Sequence, residues 1–376
     1  MITGSTGTNG EEAGAGPATW LDPYEPWNRL MRNAHLQTLA GNYMPRHHEL
    51  SDPTAELVEV DPGGDGRGPT QVLCHCHWQP EQVRAERLTV VLVHGVEGSS
   101  HSHYILGNAT KAWRAGCNVV RMNMRNCGGT ENLGPSLYHC GLSGDVKAVI
   151  EHCVQSQGVK AIAAVGYSMG GNLVLRYAGE VGDAVPEYLK AVGAVSPAID
   201  ISQCSTALHS WQNRGYEWSF LRGLVKRFQR KAQLYPEIYD AAAAKGLRSM
   251  RDFDDRVVAR YAGFRDGEDY YQQSSAARVV EKIRVPTLII HAEDDPFIRL
   301  TEATRAKLVA NPKIRLVETP HGGHCAFLAP EKDDDEEGRW DRYWAERTLL
   351  RFLLAAAGAP GGYQGHAVAG KEAAAV

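Results

Sequence analysis

Apolar residues along this chain follow two spacings. Short runs dominated by them recur at 88–93, 117–122, 161–165, 189–195, 285–290 and 313–318. Runs of that length, bounded by turn residues, suit buried strands better than helices. Between them, apolar positions fall three and four residues apart. The stretch 142–155 sets Leu142, Val146, Val149, Ile150 and Cys153 on one face, against Asp145, Lys147 and Glu151 on the other. Helices are also expected over 26–43, over 103–115, after Gly171 and over 340–357. Strands alternating with amphipathic helices build an α/β fold, a mostly parallel sheet covered on both faces. In such a sheet the chemistry belongs at the carboxyl ends of the strands.

Two stretches depart from the alternation. Near the start, the β-type runs 56–60 and 70–78 are separated by a Gly/Asp/Pro turn at 61–68, which predicts an antiparallel hairpin. Between the strands at 189–195 and 285–290, the segment of about 200–265 is aromatic, basic and helix-forming, with no clear strand from Trp211 to Gly263. A helical insertion there would arch over the active edge as a lid. Within it, Phe220, Leu221, Leu224, Val225 and Phe228 line one side of a helix and Arg222, Lys226, Arg227, Arg230 and Lys231 the other. A basic amphipathic helix of this kind can make a peripheral contact with an anionic membrane. Packing of its apolar side on the core is the favoured reading. The ordered domain is expected over 19–357, with Gly- and Ala-rich disordered tails at 1–18 and 358–376.

Composition narrows the function classes. The chain has 376 residues, 43% of them hydrophobic, and a net charge of -4, so no basic surface for nucleic acid is implied. No stretch approaches about 18 consecutive apolar residues and no basic-then-apolar leader opens the chain, which gives the expectation of a soluble, cytoplasmic protein. The eight cysteines are scattered rather than framed for disulfides, as in a reducing compartment. Cys74-His75-Cys76-His77 invites a metal assignment, but in a strand the cysteines face one way and the histidines the other, and packing is the better reading. The acidic run 333–337 lacks spaced ligands and reads as a solvated loop. Oligomeric state is not legible.

The candidate chemistry centres on Gly166-Tyr167-Ser168-Met169-Gly170, between a strand and a helix. This G-x-S-x-G pattern forces a sharp bend with the serine at its tip. Ser168 is the candidate nucleophile, and the Met169 amide, at a helix N-terminus, would face a developing oxyanion. The run at 88–93 ends in His94-Gly95-Val96-Glu97-Gly98, where the Val96 amide would be the second oxyanion donor. Past the strand at 285–290 come Asp294-Asp295-Pro296. Asp295, the residue before proline and so expected in the outward part of the turn, is the candidate acid, with Asp294 the fallback. After the last strand, Pro320-His321-Gly322-Gly323-His324 offers His324 as general base, preferred to His321 because the glycines permit close approach. His101 and His103 are expected to be loop or helix-start residues. The order Ser, Asp, His is the order of an α/β-hydrolase triad.

The chain resembles the YheT-like α/β-hydrolases, a group that includes animal abhydrolase-domain proteins. The resemblance rests on Asn33-Ala34-His35-Leu36-Gln37-Thr38-Leu39, on residues 94–99 and 125–130, on Gly166 to Asn172, and on Asp252-Phe253-Asp254, Asp269-Tyr270-Tyr271 and Asp294 to Phe297. Ala34 stands where the group usually has Pro, and Ala326 where Gly commonly follows the histidine. The resemblance implies the α/β-hydrolase fold, charge-relay positions at Ser168, Asp295 and His324, and hydrolysis of carboxylic esters on small-molecule or lipid substrates. No organic cofactor or metal is called for. Acyl transfer to an alcohol, or non-catalytic binding on the same fold, are the alternatives.

Overall fold

A computed structural model describes residues 21–46, 48, 50–64, 66–331 and 341–358. The tail expected at 1–18, nearly all of that expected at 358–376, and the acidic run 333–337 lie outside the described residues. Eight strands make one sheet: β1 Thr54–Asp61, β2 Thr70–His77, β3 Thr89–Val93, β4 Asn118–Met122, β5 Ile162–Tyr167, β6 Leu189–Val195, β7 Thr287–Ala292 and β8 Ile314–Thr319. Their spatial order is β1-β2-β4-β3-β5-β6-β7-β8. The expected hairpin β1/β2 is antiparallel, β2 meets β4 antiparallel, and every remaining pair is parallel. Parallel pairing stacks the ends of β3, β5, β6, β7 and β8 along one edge, because Val93 registers with Gly166, Tyr167 with Val195, and Ala292 with Thr319.

The main helices are α1 Ala34–Tyr43, α2 His103–Arg114, α3 Ser143–Gln157, α4 Met169–Val181, α5 Ile201–Leu208, α6 Arg214–Leu234, α7 Gly267–Ser274, α8 Glu302–Ala310 and α9 Trp344–Ala357. Strand alternation divides the core into two halves. Val91, Val93, Ile162 and Ala164 pack with Val146, Val149 and Ile150 of α3 and Leu173 of α4. Val90, Leu92, Ala163 and Val165 pack on the other face with Ile105 and Ala109 of α2 and Leu349 and Leu353 of α9. Apolar surface is removed from water on both faces at about 25 cal/mol per Å². This is why these strands read as continuous apolar runs and not as alternating ones.

Three details differ from the expectations. The stretch 26–43 is not one helix: a 3-10 turn at Arg29–Arg32 precedes α1, and Asn33 between them is extended, its side chain accepting the Leu36 amide. Asparagine favours this capping role over a helix interior. The closing helix begins at Trp344 rather than near 340. Asp145 is buried, not solvent-facing, because Arg125 from the 125–130 loop grips both its oxygens at 2.7 and 2.6 Å.

The largest difference is in α6. Leu221, Leu224 and Phe228 are buried as the pattern predicts, but Arg227 and Lys231 do not belong to a solvated face. Lys231 is fully buried, donating to Asn126 Oδ1 at 2.6 Å, to Glu131 O at 2.8 Å and to Gly134 O. Arg227 Nε lies 3.1 Å from Glu97 Oε1. The 126–134 loop covers this side of the helix and supplies the acceptors that satisfy the buried Lys231 amino group, whose pKa burial lowers to about 7. Only Arg222, Lys226 and Arg230 of the basic set remain exposed. Among the described residues, no helix is long and apolar enough to cross a membrane. The helical segment between β6 and β7 continues to Lys282, past the expected limit near 265.

Candidate active site

The bend at Ser168 is built from what its neighbours lack. Gly166 lies next to the end of β5, and a Cβ there would lie 2.1 Å from Gly170 O. A Cβ on Gly170 would lie 2.3 Å from Val93 O and 2.4 Å from His94 O. Only glycine lets α4 start so close to the end of β3. Ser168 takes up the turn with φ 53° and ψ -116°, a strained conformation for a non-glycine residue. Its backbone is pinned: Ser168 N–H donates to Val195 O, and Ser168 O accepts from Asn172 N–H and Ala198 N–H.

Asp295 and His324 are brought together from two loops. His324 Nδ1 is 2.8 Å from Asp295 Oδ2, while Asp295 Oδ1 accepts the Phe297 and Ile298 amides at 2.8 and 3.0 Å. The turn before Pro296 points Asp295 inward, not outward as expected: the residue is 0% exposed. Its neighbour Asp294 points elsewhere, accepting Gly323 N–H at 2.9 Å and lying 3.4 Å from His321 Nδ1. The fallback pair thus forms a separate brace beneath the same loop. Burial opposes charge on both members of the main pair, yet each partner's charge outweighs it. The Asp295 carboxyl is held below 3.8, and the His324 imidazole is raised well above 6.5. An imidazole held by a carboxylate at Nδ1 presents Nε2 as its proton acceptor.

The loop after β3 is fixed by a histidine. His94 is fully buried, and its Nε2 accepts the Met124 amide at 3.1 Å, so the proton sits on Nδ1 and is donated to Gly95 O at 2.7 Å. Burial lowers its pKa to about 4, which keeps it neutral. Glu97, at φ 57°, completes the turn and accepts a hydrogen bond from Tyr138 Oη at 2.9 Å. Val96 and Met169 both border the cavity that holds Ser168 and His324. Met169 is the first residue of α4, so its amide has no acceptor within the helix.

That cavity measures about 130 Å³. Besides Ser168, His324, Val96 and Met169, its wall is mostly apolar and comes largely from the segment between β6 and β7, including Ile201, Leu208, Phe220, Leu224, Phe253 and Val258. Phe297 contributes an edge to the His324 ring, with centroids 4.7 Å apart. Pattern reading placed the segment but could not name its wall residues, because they come from several short elements rather than one periodic face.

A second omission concerns α1. Thr38 Oγ1 accepts the His324 amide at 2.8 Å and itself donates to Ala34 O at 2.7 Å. Gln37, 0% exposed, accepts the Leu328 amide at 2.7 Å and the Tyr24 hydroxyl at 2.5 Å. A Cβ on Gly323 would lie 2.7 Å from Ala34 O, so the histidine loop rests directly on the start of α1. Residues 33–39 stood out in the sequence without an assignable role. Thr38→Val should leave the His324 amide without an acceptor, which costs about 1–3 kcal/mol of stability. We expect kcat to fall roughly tenfold with KM nearly unchanged, and Thr38→Ser to restore it. Steady-state kinetics beside thermal midpoints would check this; equal loss in both variants would contradict it.

A family model described as the alpha/beta hydrolase fold matches residues 89–330. The chain is 32% identical over 303 residues to the candidate esterase YheT of Escherichia coli (strain K12), covering 80% of this chain and 86% of YheT. It is 30% identical over 275 residues to phospholipase ABHD3 of Mus musculus, covering 72% of this chain and 64% of that one. It is 27% identical over 291 residues to medium-chain fatty acid ethyl ester synthase/esterase 2 of Saccharomyces cerevisiae, covering 70% and 61%.

Proposed function

The chain belongs to the α/β-hydrolase fold family, in its YheT-like group, and on that premise we propose that it is a serine hydrolase cleaving carboxylic esters through an acyl-enzyme on Ser168. The single observation that carries this reading is the 2.8 Å contact between His324 Nδ1 and Asp295 Oδ2, with His324 and Ser168 bordering one apolar cavity. In the first step His324 Nε2 takes the Ser168 hydroxyl proton as Oγ attacks the ester carbonyl carbon. The Val96 and Met169 amides hold the oxyanion, each worth roughly 3–4 kcal/mol of barrier. Collapse expels the alcohol, which leaves with the proton from His324. A water, deprotonated by His324, then attacks the acyl carbonyl, and collapse frees the acid and Ser168. Asp295 keeps the imidazole in one tautomer and balances its charge throughout. The segment between β6 and β7 acts as the lid that shapes the acyl site.

Cavity size sets the expected acyl group. An apolar cavity of about 150 Å³ holds a benzene molecule. A cavity of about 130 Å³ therefore suits a straight acyl chain of about four to six carbons. Across p-nitrophenyl esters from acetate to palmitate, kcat/KM should peak near those lengths and drop more than tenfold by about twelve carbons. Folded protein that turns over no ester in the series would overturn the hydrolase reading. A maximum at palmitate would instead sink the size argument.

Acyl transfer is the second reading, favoured by the yeast relative's name as a synthase/esterase. An alcohol in place of water in the deacylation step gives a new ester. Adding ethanol and measuring ethyl ester against free acid separates the two.

A further inference from the structure

The cavity has a second polar region that the ester chemistry leaves unused. Asp254 borders it, at the first turn of a π-helical segment, Asp254–Ala259. Such segments are rare and concentrate at functional sites. Tyr271 Oη donates to Asp254 Oδ2 at 2.7 Å and stands 3.0 Å from Ser205 Oγ, so a chain of hydroxyls ends on this one carboxyl oxygen. The other oxygen has no partner among the described residues. The two cations nearest along the chain are directed elsewhere: Arg256 donates to Lys245 O at 3.1 Å, and Arg251 lies over the Tyr271 ring and 3.5 Å from Glu268 Oε2. A half-buried carboxyl with no ion pair is costly to keep for packing alone, since an apolar residue of similar size would serve without the penalty. Burial pushes the Asp254 carboxyl up to about 7, against the Tyr271 hydrogen bond and the Arg251 charge, so it exchanges its proton near neutrality.

His139 borders the same cavity. Its Nδ1 accepts the Gly141 amide at 3.1 Å, which leaves the ring proton on Nε2, and burial keeps the ring neutral. Asp254 and His139 share with Ser168 and His324 a cavity whose wall is otherwise mostly apolar, which matches a ligand that carries a polar group besides its reacting one.

Resting on the proposed ester hydrolysis, we infer that Asp254 is a specificity-determining residue, and that the preferred acyl group carries a hydrogen-bond donor, a hydroxyl or an amine, along its length. A plain alkyl chain would leave the free Asp254 oxygen unpaired and dry. A donor-bearing chain replaces the lost water. Sites built to hydrogen-bond a substrate group discriminate strongly against analogues that lack it, more strongly than apolar pockets discriminate by one methylene.

The test uses ethyl esters of straight-chain acids carrying a hydroxyl or an amine at carbon four, five or six, each beside the isostere with methyl in that place. Free acid is quantified by chromatography for the wild type, Asp254→Asn and Asp254→Leu. We expect at least one donor-bearing ester to exceed its methyl isostere roughly tenfold or more in kcat/KM. Asp254→Leu should reverse that preference. Asp254→Asn should keep a hydroxyl preference and lose an amine preference, which distinguishes the two donors. Equal or better turnover of every methyl isostere by the wild type would overturn the inference, as would an unchanged preference in Asp254→Leu. If that variant is unfolded, an unchanged preference for an amine in Asp254→Asn does the same. No turnover of any ester, together with no fluorophosphonate adduct on Ser168, overturns the hydrolase reading instead, and this inference with it.

Discussion

Ser168→Ala is expected to abolish labelling by a fluorophosphonate probe and to lower kcat by about 10⁴–10⁶-fold. The substitution removes one oxygen and keeps the Cβ. The strained φ of 53° and the backbone contacts to Val195, Asn172 and Ala198 do not depend on the hydroxyl, so the variant should fold with an unchanged thermal midpoint. Mass spectrometry of the labelled wild-type peptide should place the adduct on Ser168. An adduct that persists in the variant would move the nucleophile elsewhere, and an unlabelled wild type with an accessible cavity would favour a binding protein on this fold.

Asp295→Asn carries the next largest expectation, a fall in kcat of about 10⁴-fold, because the amide no longer holds His324 in the tautomer that exposes Nε2 as a base. The pH dependence should change as well. In the wild type the charge of Asp295 raises the His324 pKa well above 6.5 in spite of burial, so the acidic limb of kcat/KM should lie above 6.5. With that charge removed, burial is opposed only by the smaller influence of Cys325, and the limb should move to lower pH. A pH–rate profile whose acidic limb is the same in both proteins would refute the pairing.

Stability follows the same pair with opposite signs. Asp295 has a depressed folded-state pKa, so its contribution is present above 3.8 and is lost as pH falls through the folded value. His324 has a raised one, so its contribution is complete below 6.5 and is lost as pH rises through the folded value. Between 3.8 and 6.5 both are in force. The window of greatest stability from this pair therefore lies below the pH range of greatest activity.

Much of this protein is legible in the order of its residues, for a local reason. Strand and helix periods, the glycines that allow the Ser168 bend, and the hairpin turn at 61–68 depend on neighbours within a few positions, and local sterics decide them. Other features depend on contacts that exist only after the sheet has closed. The two aspartates are adjacent in sequence, and which one meets His324 depends on how the turn after β7 is packed; the structure buries Asp295 against His324 and directs Asp294 to His321 and Gly323. Asp145, Arg227 and Lys231 read as solvated side chains until the loops at 125–134 and at Glu97 bring partners to them. Thr38 meets His324 across 286 positions, a contact that no periodicity encodes. The sheet strands, their helices and the serine turn follow from residue order alone. The choice between the two carboxylates, the support beneath the histidine and the polar region at Asp254 come from packing, because each is an encounter between distant segments whose free energy arises from burial and pairing in three dimensions.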